Sequence, residues 1–168
     1  MKTPEETLNP ARFVADAHLG KLARHLRMLG HDTLWEASFS DLKDEELLRL
    51  AREERRSLLT CDRALAETAG RHQALRILSQ SPPQQLIEVL AHFQLGDDAR
   101  SGKGFLTRCL QCNSLILPLP PHQVTDRVPG HLLLEFDTFY LCPRCEQVYW
   151  NGSHVARMRE WVIRTLSA

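Results

Sequence analysis

Two sets of residues have types and spacings suited to chemistry. The first is a trio of aspartates, Asp16, Asp44 and Asp62. Asp16 ends the apolar run Arg12–Phe13–Val14–Ala15, and Asp62 follows Ser57–Leu58–Leu59–Thr60–Cys61. Asp44 lies, with Glu45 and Glu46, in the first turns of a helix that opens at Ser40 or Asp41. Carboxylates where a strand gives way to a helix lie where open α/β sheets bind ligands. The positive end of a helix dipole favours negative charge there. Carboxylates gathered at one sheet edge repel one another unless a cation intervenes. Oxygen-only donors with open positions suit Mg²⁺ or Mn²⁺, which keep waters and accept phosphate oxygens. Such ions activate water and stabilise the leaving oxygen in phosphodiester hydrolysis. Aspartate is also a common helix N-cap, so each of the three could be a cap alone.

The second set is Cys109–Leu110–Gln111–Cys112 and Cys142–Pro143–Arg144–Cys145, with 29 residues between the pairs. Two such turns complete a tetrahedral shell of four sulfurs, which suits Zn²⁺. Four protein ligands close the shell, so the zinc is structural. The alternative, a redox or disulfide pair, normally shows a single C-x-x-C at a helix start.

Lys21, Arg24 and Arg27 follow Asp16, and Arg63 follows Asp62. They are candidates to hold phosphate, or else an ordinary solvent face. Glu45, Glu46, Glu53 and Glu54 read as a solvated face, with Glu45 or Glu46 a possible outer ligand. His18 and His25 read as surface or capping histidines, and Cys61 as buried packing. Trp150 and His154 could stack on bases or simply pack.

The elements that must position these residues follow from periodicity. Arg12–Ala15, Asp32–Trp35, Ser57–Thr60 and Ala74–Leu78 read as strands. Leu19, Leu22, Leu26 and Leu29 mark a helix with one buried stripe, closed by Gly30. Further helices run to about Glu54, from Asp62 to Gly70, and from Ser81–Pro82–Pro83 through Phe93. Strict alternation argues for a parallel sheet covered by helices with right-handed crossovers. Gly96–Gly104, with three glycines and no apolar pattern, reads as a linker. Beyond it, prolines break short apolar runs such as Ser114–Leu117 and Leu132–Phe136, which read as β-rich. A last helix, Ser153 to Leu166, would bury Val155, Met158, Trp161 and Val162.

Composition sets the bounds. The chain has 168 residues, 43% hydrophobic and 25% charged, and its 21 basic residues balance 21 acidic ones. That is ordinary for a soluble domain and excludes a uniformly basic coat, though not a local basic patch. No apolar run approaches the roughly 18 residues of a membrane span. Met1–Pro10 lacks the apolar core of a secretory signal and reads as a polar lead-in. Paired cysteines without an export signal point to a metal and a reducing cytoplasm.

Two runs carry a family resemblance. Asp44–Glu45–Glu46–Leu47–Leu48–Arg49–Leu50–Ala51 followed by Leu58–Leu59–Thr60–Cys61–Asp62–Arg63, with Phe13–Val14–Ala15–Asp16, resembles PIN-domain nucleases. The segment Asp16–Ala17–His18–Leu19–Gly20–Lys21–Leu22–Ala23–Arg24–His25–Leu26–Arg27–Met28–Leu29–Gly30 narrows it further. Together with the four cysteines and Tyr149–Trp150–Asn151–Gly152–Ser153–His154, it resembles the Mut-seven C-terminal ribonuclease family. The resemblance implies a PIN-like three-layer α/β/α domain with a parallel sheet over residues 1–95, of which 1–11 are the lead-in. A linker, 96–104, and a small β-rich zinc ribbon with a C-terminal helix, 105–168, would follow. It implies metal-dependent endoribonuclease activity, RNA as partner, structural Zn²⁺ and catalytic Mg²⁺ or Mn²⁺ at Asp16, Asp44 and Asp62; on this reading the zinc ribbon would help hold or select the RNA. Two departures stand out. The usual fourth acid has no evident place, and Cys61 replaces the arginine of a Thr-Arg-Asp turn. Two other classes stay open: a non-catalytic RNA-binding or ribosome-associated module, and a protein-interaction adaptor built on the ribbon. No protein partner can be read from the residues.

Overall fold

A computed structural model describes residues 11–38 and 43–167. The lead-in Met1–Pro10 and the expected helix start at Ser40 or Asp41 lie outside the described residues. Strands β1 (Phe13–Ala15), β2 (Thr33–Trp35), β3 (Ser57–Thr60) and β4 (Ala74–Arg76) form a four-stranded sheet in the order β2-β1-β3-β4. All three pairings are parallel. Helices α1 (Gly20–Met28), α2 (Asp44–Glu53), α3 (Arg63–Ala69) and α4 (Pro82–His92) alternate with the strands.

Successive strand residues point to opposite faces, and the two cores divide accordingly. Phe13, Ala15 and Leu59 pack with the Leu22–Leu26 stripe of α1 and with Leu86 and Val89 of α4. Val14 and Leu58 pack against Leu47 and Ala51 of α2 and Leu65 of α3. Burying both faces is what a parallel sheet requires, and it gives the expected α/β/α layering. The order of strands reverses between β1 and β3. The crevice outside their carboxyl ends is therefore the switch point at which ligands bind in such sheets.

The second unit is a three-stranded antiparallel sheet, β5 (Leu117–Leu119), β6 (Phe139–Leu141) and β7 (Val148–Trp150). Val124, Val128, Phe139 and Val148 form its small core. The run Leu132–Phe136, expected to be extended, instead lies mostly in helix α6 (Gly130–Glu135), entered from Pro129. The stretch 96–104, expected to be a linker, carries helix α5 (Gly96–Ser101). A six-residue helix shows too little period to be seen in sequence; α5 buries Ala99 in the first core, and its Arg100 donates to the Leu166 carbonyl at 3.2 Å. Helix α7 (Ser153–Ser167) follows the ribbon in sequence but packs on the first unit, with Val162 buried there and Met158 and Trp161 against it. No described helix is long and apolar enough to cross a membrane.

Candidate active site

Asp16, Asp44 and Asp62 all lie at the carboxyl edge of the parallel sheet. Asp16 follows β1, Asp62 follows β3, and α2 runs back along the sheet from Asp44. Asp16 is only 5% exposed. Its Oδ1 accepts from the His18 backbone N–H at 3.0 Å, and its Oδ2 accepts from the Thr60 hydroxyl and, at 3.1 Å, from the Cys61 N–H. The same Thr60 oxygen accepts from the Asp62 N–H at 2.9 Å. Thr60, fully buried as the last residue of β3, thus ties the two aspartates across the switch point. Asp62 caps α3 by accepting from the Leu65 N–H at 2.9 Å, and Asp16 caps the 3₁₀ turn Ala17–Leu19. Asp44 is exposed and is the first residue of α2, with Lys43 in the cap position. Capping is therefore real for Asp16 and Asp62, and Asp16 is buried besides.

Sequence reasoning missed a fourth acid here. Glu36 directly follows β2, and its Oε2 accepts from the Ala17 N–H at 2.9 Å, one residue from Asp16. Its position after a strand, like that of Asp16, was the available signal. Among the described residues, none of Asp16, Glu36, Asp44 and Asp62 has an ion-pair partner. Three donors already meet the buried Asp16 oxygens, and an oxygen-only donor set of this kind has the chemistry that suits a hard cation. These acids do not converge to the 4.8 Å mutual spacing that the four cysteines reach.

The basic candidates divide. Lys21 and Arg24 are exposed on α1 near its start at this edge, and Arg63 is exposed at the start of α3, in a 2.7 Å surface pair with Glu67. Arg27 is a correction. It is 2% exposed, and its guanidinium donates to the carbonyls of Thr33 at 2.8 Å, Leu110 at 3.1 Å and Gln111 at 2.7 Å. It holds the zinc turn to the sheet and has no face left for phosphate. Cys61 is also a correction, since it is exposed rather than packed. Arg76, exposed at the end of β4, adds a cation near Cys61 that sequence reading did not single out. Glu46 accepts from the Lys43 N–H at 3.2 Å, which makes it a capping residue.

The two cysteine turns are conformational copies. In each, the first cysteine's N–H donates to the carbonyl five residues on, at 2.8 Å for Cys109 and 2.9 Å for Cys142. In each, the residue after the second cysteine donates to the first cysteine's carbonyl at 3.0 Å. That following residue has positive φ, 71° at Asn113 and 59° at Glu146. One sulfur atom from each of the four cysteines lies within 4.8 Å of the others. Burial works to raise the Cys112 thiol, but hydrogen bonds from the Ser114 backbone and hydroxyl hold it down at about 6. Burial and the neighbouring thiols push Cys145 up to about 12. Four sulfurs at this spacing could hold a zinc ion, which would relieve their mutual repulsion. The Tyr149 hydroxyl, 3.1 Å from Cys109 Sγ, accepts from the Leu110 N–H and so buttresses the first turn.

The ribbon docks at the other edge of the sheet. Asn113 accepts from the Thr33 N–H at 2.9 Å and donates to Asp32 at 2.7 Å, just where β2 begins. Arg108 donates to the Gly30 carbonyl, and the Leu106 N–H to that of Met28, at the end of α1. Gly30, with φ of 88°, lies so close to the Gly104 carbonyl that a Cβ could not fit. The cysteine turns thus sit at the amino edge, with the sheet and α1 between them and the acids.

Residues 11–162 match the family model described as the Mut7-C RNAse domain. The chain belongs to the Mut7-C RNAse domain family. The match spans both the acidic edge and the cysteine turns, so in this Mut7-C chain the two units are parts of one family domain. No curated protein and no solved structure matches the chain.

Proposed function

We propose that this Mut7-C chain is a metal-dependent endoribonuclease whose site is the carboxyl edge carrying Asp16, Asp44 and Asp62. The observation that carries it is Asp16, a buried carboxylate without a cationic partner at the switch point, joined to Asp62 through Thr60 in a chain of an RNase family. Mg²⁺ or Mn²⁺ would be held at Asp16, with Asp44 and Asp62 closing in on it as further oxygen donors because they do not converge on their own, and would supply an activated water and charge neutralisation at the phosphodiester. The chain's own residues do the positioning. His18 and Cys61 backbone N–H groups and the Thr60 hydroxyl fix both Asp16 oxygens. Lys21, Arg24 and Arg63 attract the phosphates. Zinc at the four cysteines holds the ribbon's fold, and reduced thiols fit a cytoplasmic protein.

The test is cleavage of a labelled RNA with Mg²⁺ or Mn²⁺ by the wild type and by Asp16→Asn. Loss of about 10²-fold or more in the variant is expected, the scale on which a single positioned group contributes to catalysis. Equal activity would remove Asp16 from the site. A second reading, a non-catalytic RNA-binding module, draws on the failure of the acids to converge as the cysteines do. RNA binding without cleavage, unaffected by Asp62→Asn, would favour it.

A further inference from the structure

We propose that single-stranded RNA runs from the acidic edge along α1 and lays its bases in the cleft between α7 and the zinc ribbon. This rests on the reading of the acidic edge as the ribonuclease site and extends it to the path of the substrate.

Helix α1 connects the two ends of the molecule. It starts beside Asp16, and its last turn meets the ribbon at Met28 and Gly30. At 1.5 Å of rise per residue, Lys21 to Met28 covers about 10 Å. Lys21, Arg24, His25 and Met28 recur at the three- and four-residue spacing of one helical stripe. Burial lowers the His25 pKa, and the nearby charges of Arg24 and Lys21 lower it further. Among the described residues, Lys21 and Arg24 have no ion-pair partner, and neither do Arg157 and Arg159 on α7.

Two hollows continue the stripe. The first, about 410 Å³, lies between Arg24 and His25 on one side and Arg157 and Trp161 on the other. There the His25 and Trp161 rings meet at a 38° tilt with centroids 4.4 Å apart, and His25 Nδ1 is buried without a partner. The second, about 730 Å³, reaches Tyr140 and Trp150 of the ribbon and Arg159, whose guanidinium lies 5.1 Å over the Phe105 ring. Leu110, His154 and Met158 line both, so the two are one groove.

Its charge decides the occupant. The chain has as many acidic as basic residues, yet no aspartate or glutamate lines either hollow, while three arginines do. A peptide partner would be served by an apolar floor alone. Aromatic and apolar walls under a row of unpaired cations serve a polymer that carries both stacking bases and phosphates. Exposed bases are needed for stacking, so the strand is single.

The experiment uses the full zinc-loaded chain in an Asp16→Asn background, which separates binding from cleavage. Fluorescence anisotropy is read with labelled uridine oligomers of about 20 and about 4 nucleotides, since each single-strand site engages several nucleotides. The double variant Arg157→Glu/Arg159→Glu is compared with Arg52→Glu/Arg55→Glu, an equal charge change at exposed positions on and just beyond α2. The expected result is at least a tenfold loss of affinity for the long oligomer in the first variant and little change in the second, with the short oligomer, unable to span the acidic edge and the cleft together, binding more weakly than the long one before either change. Losing two phosphate contacts should also reduce the slope of log affinity against log salt by about 1.4. Equal effects of the two variants, or none, would overturn the path, and so would failure to bind RNA at low salt. If the track variant alone weakens binding while Asp16→Asn cleaves like the wild type, the path stands and the acidic edge is not the nuclease site.

Discussion

Replacing Asp32 with asparagine should detach the ribbon's anchor and cost the chain a measurable share of its stability. Asp32 stands just before β2 and is the hub between the two units. It pairs with Arg56 at 2.7 Å and Arg12 at 3.1 Å, and accepts from Asn113 of the first zinc turn. Burial works to raise its carboxyl, but the hydrogen bonds of Arg56 and Asn113 and the charges of Arg56 and Arg108 outweigh it and hold the group at about 2, against an ordinary 3.8. At about 1.4 kcal/mol per unit, that displacement contributes roughly 2.5 kcal/mol at neutral pH. Because the folded value is depressed, the contribution is present above the unfolded value of 3.8 and lost as pH falls toward 2. Arg56 is 4% exposed and keeps a 2.8 Å contact with Glu54 when the Asp32 charge is removed, so the expected cost stays at about 2–3 kcal/mol. Urea unfolding of wild type and Asp32→Asn between pH 7 and pH 2 measures it. The difference should be largest at neutral pH and shrink as the medium falls through the interval between the two values. A difference below about 0.5 kcal/mol, the size of an ordinary surface change, or one that ignores pH, would refute the role of Asp32.

Other outcomes follow from the same contacts. Chelating zinc should unfold residues 105–150 while the parallel sheet persists, seen as protease cuts confined to the ribbon; an unchanged digest would contradict a structural zinc. Thr60→Val keeps the shape but removes the hydroxyl that joins Asp16 and Asp62. It should cost about 1–3 kcal/mol of stability and, on the proposed function, lower cleavage at least tenfold. Arg27→Ala should leave oligonucleotide affinity nearly unchanged and lower the unfolding midpoint, because its guanidinium serves three backbone carbonyls; weakened RNA binding without lost stability would restore the phosphate role.

Much of this architecture is legible in the residues. The Leu19–Leu29 stripe, the short strands ending at Asp16 and Thr60 and the paired C-x-x-C turns each carry a local signal, and each lies where it points. What stayed hidden depends on distant partners. Arg27 looks like one more solvent-facing cation beside Lys21 and Arg24 until the carbonyls of Leu110 and Gln111, over 80 residues on, close around it. The helix α5 shows no period because it buries a single alanine. Glu36 is one glutamate among many until β2 sets it against the Ala17 N–H. That the ribbon sits at the amino edge, away from the acids, is decided by Asn113 and Asp32, neither of which belongs to a motif.

The most direct measurement is a Mn²⁺ soak of crystals of the zinc-loaded chain, read by anomalous scattering at the manganese edge. The account predicts a peak at the carboxyl edge within bonding distance of Asp16 and Asp62, about 2.0–2.2 Å from their oxygens as for other small hard cations, and lost in Asp16→Asn. A crystal that takes up Mn²⁺ only elsewhere, while the same preparation cleaves RNA in Mn²⁺, would contradict it.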